Sequence, residues 1–217
     1  MIDMNNINPM KTSSLEMSGF LDPPALSFYP LVMDQIEEIT NEFMHDSLDL
    51  SFLKIRVGYE KTWHQTITDV DELSPPIEKW IQEGGFHQQQ IGYDSRDGQW
   101  QTFPLFKADE PELSETISTF LPKTIALLRN IPGLHFAAFF KQPPLAAVKP
   151  HAHTLNHYIC HFLLTDLEQG RAWIQVNGRK QYLKYKGDCI AFNYMHTHSS
   201  CNESESDRIN LVLDVVL

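Results

Sequence analysis

Ten histidines occur in this chain of 217 residues, and six of them lie between His151 and His198. His151-Ala152-His153 is an H-x-H pair. On an extended backbone side chains alternate, so both imidazoles project from one face. His198 follows 45 residues after His153, and Arg208 follows ten residues after His198. Two imidazoles at one strand end and one from a distant strand can converge on a single metal ion. Nitrogen donors suit first-row divalent metals, and such a set leaves coordination positions open. The arginine offers a planar fork of donors for one end of a dicarboxylate. A single strand histidine is ordinarily a packed structural residue. The ordered set of H-x-H, distal His and Arg is a more particular pattern. His196 shares a face with His198 on an extended chain and is an alternative ligand. The spacing to Arg208 favours His198.

These side chains need strands to hold them. From Tyr29 the apolar residues Leu31, Ile36, Ile39, Phe43 and Met44 recur at helical spacing. The segment 52–59 reads as a strand and 77–82 as a short helix after Pro75-Pro76. Residues 88–93 and 99–105 read as a hairpin around the turn-rich stretch 94–98. A helical stripe covers 112–130, with Ser114 as a candidate cap and a break at Pro122. After Gly133 the segments 134–140, 158–165, 171–176, 179–183, 189–192 and 208–216 are short, aromatic and β-branched. Asn177-Gly178 marks a hairpin between two of them. Helices followed by antiparallel strands predict an α+β, mainly β fold with a jelly-roll core. Residues 1–25 read as a flexible leader. Residues 26–217 read as one domain, a mixed part 26–133 followed by a core 134–217. Trp173 is expected to pack between the sheets, and the three cysteines to be small apolar fillers. His157 is expected to be structural, and Lys180, Lys184 and Lys186 to lie on a solvated face.

Composition narrows the partners. Lys plus Arg is 17 against 28 for Asp plus Glu, a net charge of −11. That balance argues against nucleic acid and anionic membrane surfaces. No apolar run reaches the roughly 20 residues of a spanning helix. No secretory signal is visible, and three cysteines without a CxxC motif fit a reducing cytoplasm.

Several stretches carry a family likeness. Trp100 through Leu105 matches a W-x-x-F-x-L pattern. Phe120-Leu121-Pro122-Lys123-Thr124-Ile125-Ala126-Leu127-Leu128, followed by Ile131-Pro132-Gly133, precedes the first core strand. Pro150-His151 comes next, then Gly187-Asp188-Cys189-Ile190-Ala191-Phe192-Asn193 leading to His198. Arg208-Ile209-Asn210-Leu211-Val212-Leu213-Asp214-Val215 closes the series. In order and spacing these resemble the aspartyl/asparaginyl β-hydroxylases, Fe(II)- and 2-oxoglutarate-dependent oxygenases on a double-stranded β-helix, the cupin-like jelly roll.

The resemblance implies that His151 and His198 ligate Fe(II) and that Arg208 binds the distal carboxylate of 2-oxoglutarate. It places His161 beside the co-substrate. It also implies O2 as oxidant and an amino acid, a peptide residue or a small amino-acid derivative as the hydroxylated substrate. Two positions depart from the pattern: Phe140 replaces a family Ser, and Ile159 replaces a family Arg. His153 stands where the common facial triad has a carboxylate. It is either a third ligand, giving a three-histidine centre, or a residue facing water, substrate or a neighbour of the ligands. Two rival readings follow. One is a three-histidine cupin-type dioxygenase independent of 2-oxoglutarate. The other is a non-catalytic jelly roll that binds a metal or a small acid. Substrate choice would fall to loops at 60–74, 91–101 and 199–207.

Overall fold

The computed structural model describes residues 19–44, 87–89 and 100–217. The expected strand at 52–59, helix at 77–82, turn at 94–98 and loop at 60–74 lie outside the described residues.

Two antiparallel sheets face each other. The larger has the order β1 (Phe20–Leu21), β9 (Cys189–Asn193), β6 (Tyr158–Leu163), β11 (Arg208–Val215), β4 (Leu134–Gln142), β3 (Trp100–Lys107) and β2 (His87–Gln89). The smaller has the order β5 (Ala147–His151), β10 (His198–Asn202), β7 (Ala172–Val176) and β8 (Arg179–Leu183). The fold is a cupin-like jelly roll, mainly β, with helices on one side. The β7–β8 hairpin turns through Asn177 at φ 47° and Gly178 at φ 80°. Positive φ at both central residues is the type I′ geometry that Asn-Gly favours.

Strand alternation divides β11 between two environments. Ile209, Leu211, Leu213 and Val215 pack with Val32, Ile39, Phe43, Ile125 and Leu128 in one apolar cluster. The helices α1 (Tyr29–Asp34), α2 (Ile36–Met44), α3 (Pro111–Ser118) and α4 (Pro122–Leu128) supply that side. Phe43 of α2 meets Phe139 of β4 with ring centroids 4.5 Å apart. Arg208, Asn210, Val212 and Asp214 alternate with the apolar set and so point toward the inside of the roll. Neighbouring strands follow suit. Leu163, Ile190 and Phe192 join Ile174, Val176 and Leu183 in a second cluster between the sheets. All eight residues of β11 are buried, since the strand is covered on both faces.

Several expectations need correction. The helix from Tyr29 is two helices, because Gln35 leaves helical geometry at ψ 7°. Ser114 is no cap: it lies inside α3, and its Oγ donates to the Pro111 carbonyl at 2.9 Å. Trp173 is not between the sheets. On β7 the inward positions are Ala172, Ile174 and Val176, so Trp173 faces outward. Its Nε1 donates to Glu203 at 2.8 Å, and the Lys180 ammonium sits 3.6 Å from the ring centroid. Residues 19–25 of the expected flexible leader are part of the fold. Phe20 pairs with Phe192 and is buried. The expected loop at 199–207 begins as strand, since β10 runs to Asn202.

The break at Pro122 forms as expected, and a distant residue caps it. Leu121 offers no capping side chain. Glu42 of α2 instead accepts from the Lys123 and Thr124 backbone N–H groups at 2.7 and 2.8 Å, and from the Thr124 hydroxyl at 2.7 Å. A carboxylate here satisfies orphan donors and complements the helix dipole. Glu42→Ala is expected to cost about 1–2 kcal/mol, the usual value of a lost cap. Urea unfolding of both proteins measures this, and an unchanged midpoint would remove Glu42 from the capping role.

Candidate metal centre

The register between β10 and β5 sets His198 directly opposite His151. Opposed residues share a face, so the two rings approach, with centroids 4.3 Å apart. His153 lies just beyond β5 and is held by its backbone N–H, which donates to the Tyr194 carbonyl at 3.1 Å. Its ring is 5.2 Å from that of His151 and 5.3 Å from that of His198. One ring nitrogen from each of the three lies within 4.8 Å of the others. The structure thus brings the H-x-H pair and the distal histidine together.

His198 is oriented by its own chain. Its Nδ1 donates to the His196 carbonyl at 2.8 Å, which leaves Nε2 as the free lone pair. His196 thus contributes its backbone, while its exposed ring stays outside the cluster. Burial, then the neighbouring His151 ring, pushes His198 down to about 3. The imidazole is neutral at ordinary pH. Three imidazole nitrogen donors on one face fit a first-row divalent ion such as Fe(II).

Arg208 occupies the first position of β11 and is 4 % exposed. Its partners are all neutral. Nη1 donates to Gln142 Oε1 at 2.9 Å, and Gln142 sits opposite on β4. With its amide oxygen turned to the guanidinium, Asn210 accepts from Nη2 at 2.8 Å and Nε at 3.1 Å. His161 Nδ1 is 3.4 Å from Nη2. Burial first, and then the Arg208 charge, hold His161 well below the usual histidine range, so it is neutral. Burial lowers Arg208 itself only to about 10, so it keeps its charge at neutral pH. Among the described residues no carboxylate pairs with it. A buried cation with neutral partners only is costly unless an anion joins it.

Phe192 joins the two halves of the site. Its ring stacks on His161 at 6.0 Å and lies 5.0 Å from His198. Phe140 contacts the His161 ring edge-on at 6.1 Å. Gln142, Asn210 and Phe192 were missed as site residues. Asn210 had a usable signal, since position i+2 from Arg208 shares its face. Gln142 had none, because its role comes from cross-strand register.

The two facing sheets and the imidazole cluster define a jelly-roll protein with a candidate histidine metal site. The family model described as Aspartyl/Asparaginyl beta-hydroxylase matches residues 60–217, and the chain belongs to that family. It is accordingly a metal-dependent oxygenase. No curated protein sequence matches the chain. Solved structures with similar folds include a predicted oxalate decarboxylase of Thermotoga maritima, 17% identical, TM-score 0.38, covering 61% of this chain and 98% of that one. KdgF of Halomonas sp. is 18% identical at TM-score 0.35, covering 61% of this chain and 87% of its own. The Schizosaccharomyces pombe Cnp3 cupin domain is 12% identical at TM-score 0.38, covering 59% and 70% respectively. No helix is long and apolar enough to cross a membrane among the described residues.

The neutral histidines give a sign to the pH dependence. In the unfolded chain His198 titrates near ~6.5. Between there and about 3 the unfolded chain binds a proton that the folded, metal-free chain does not. Stability from this group is complete above that window and falls as pH drops through it, by about 1.4 kcal/mol per pH unit at most. His161 adds to the slope with the same sign. Urea midpoints of the metal-free protein should fall from about pH 7 to about pH 4, less steeply in His198→Asn. Equal slopes in the two proteins would contradict the assignment.

Proposed function

We propose that the protein is an Fe(II)- and 2-oxoglutarate-dependent oxygenase that hydroxylates a C–H bond of an amino acid, a peptide residue or a small amino-acid derivative. The observation that carries this is Arg208, a buried guanidinium beside neutral His161, with Phe192 between that histidine and His198 of the imidazole cluster, and with no carboxylate partner among the described residues. His151, His153 and His198 hold the iron. Arg208 receives the distal carboxylate of 2-oxoglutarate, and Gln142 and Asn210 fix its fork. Neutral His161 adds no second positive charge and leaves the pocket matched to one carboxylate. Phe192 and Phe140 wall the space and limit water. Iron and 2-oxoglutarate supply the oxidising chemistry with O2, giving succinate, CO2 and the hydroxylated product. The substrate class rests on family membership.

A second reading has its own support. A third histidine replaces the usual carboxylate, Phe140 packs on His161, and Ile159 stands at the family arginine. These suit a three-histidine dioxygenase that binds its substrate directly and uses no 2-oxoglutarate. A non-catalytic metal-binding roll would show neither activity.

Fe(II) and 2-oxoglutarate added without oxygen should give the visible band of a keto acid bound to ferrous iron, and succinate should form in air. Neither band nor succinate would sink the proposal. Arg208→Ala should weaken 2-oxoglutarate binding at least about thirtyfold, the loss of charge-assisted hydrogen bonds, while iron still binds. Unchanged affinity would show that another group is the anchor. His153→Ala should weaken Fe(II) binding at least about tenfold. Intact iron affinity would reduce the centre to two histidines.

A further inference from the structure

A second cluster of ligand-type side chains shares no residue with the first. One donor atom from each of His135, His157 and Asp214 falls within 4.8 Å of the others. Asp214 is near the far end of β11 from Arg208, roughly 20 Å along the strand. It faces the inside of the roll and is 2 % exposed. The groups that act on its carboxylate are His157, His135 and Tyr194, with no lysine or arginine among them. A buried carboxylate beside two imidazoles, with neither lysine nor arginine acting on it, is a donor set that can accept a cation.

Each neighbour is placed by the backbone. His157 immediately precedes β6, and its Nδ1 is 3.0 Å from Asp214 Oδ1. That contact is a hydrogen bond, whose shared proton a bound metal ion would displace. His135 would ordinarily point away from Asp214. The β4–β11 ladder pairs Asp214 with Phe136 and Val215 with Leu134, so His135 is the extra residue of a bulge. Bulges re-aim side chains, and here the His135 ring meets that of His157 edge-on at 4.9 Å. The second carboxylate oxygen is already taken, because the Tyr194 hydroxyl donates to Oδ2 at 3.2 Å. Carboxylates that ligate metals are commonly oriented by such an outer hydrogen bond. His135 and His157 are only partly buried, which leaves an entry path.

We propose that His135, His157 and Asp214 form a second metal site, separate from the His151–His153–His198 centre. Two imidazoles and one carboxylate select a borderline divalent transition ion of the zinc or cobalt class. The site ties β4, β6 and β11 together at one end of the roll. It also reaches the first centre through Tyr194, whose ring lies 4.6 Å from that of His153.

Cobalt(II) titration of the full chain, followed by visible spectroscopy and by equilibrium dialysis, tests this. The wild type should take two equivalents. His151→Ala/His198→Ala should keep one, with a ligand-field spectrum of its own. His135→Ala/His157→Ala should also keep one, with the complementary spectrum. Circular dichroism verifies that each variant is folded. If the His135/His157 variant does not fold, zinc should still raise the melting temperature of the His151/His198 variant. Binding of no cobalt by a folded His151/His198 variant would overturn the proposal. So would two equivalents retained by the His135/His157 variant, or no zinc shift in the fallback measurement. Failure at the first centre alone leaves the His135/His157 equivalent in place, so the two readings fail separately.

Discussion

Arg208 is a full positive charge enclosed by Gln142, Asn210 and His161, none of which carries a compensating negative charge. Leaving a cation in that state costs stability. Replacing it by an apolar residue would relieve the cost if folding were its only task. The surrounding residues are arranged to keep the fork in place. Gln142 accepts from Arg208 through its amide oxygen and donates through its nitrogen to the Ala146 carbonyl at 3.0 Å. Asn202 of β10 donates to the Gln142 carbonyl at 2.9 Å. The cation is thereby locked to both sheets at the end of the roll.

Packing on the outside makes this polar interior possible. Because β11 is buried on both faces, its odd positions can fill the apolar cluster with the helices. Its even positions are then released for Arg208, Asn210 and Asp214. The helices, tied by Glu42 to the start of α4, support the sheet whose opposite face carries the charge. The smaller sheet contributes the imidazoles through one register, that of His198 on His151. A one-residue slip there would turn His198 to the other face and dissolve the cluster.

Much of this was legible in the residues. Period-two hydrophobic segments, the Asn177-Gly178 turn and Pro122 marked most core strands and the helix break. The clustered histidines show because their spacing is unusual and strand alternation is a reliable rule. Strands β5 and β10 were not read, since Ala147–His151 and His198–Asn202 carry too few apolar residues to signal a period. Trp173 faces outward because the phase of its strand, not the size of its ring, sets the side it occupies. Asp214 stood in a quoted motif without a role, and His135 gave no sign. Their meeting depends on a bulge, which a sequence does not display.

Affinity for the distal carboxylate reads the role of Arg208 apart from turnover. In manganese(II)-loaded protein, 2-oxoglutarate should be compared with 2-oxopentanoate, which has the same keto-acid end and chain length but lacks the second carboxylate. Calorimetry should show 2-oxoglutarate binding at least about thirtyfold more tightly, the equivalent of ~2 kcal/mol. Equal affinities would contradict the claim that Arg208 is held for a dicarboxylate.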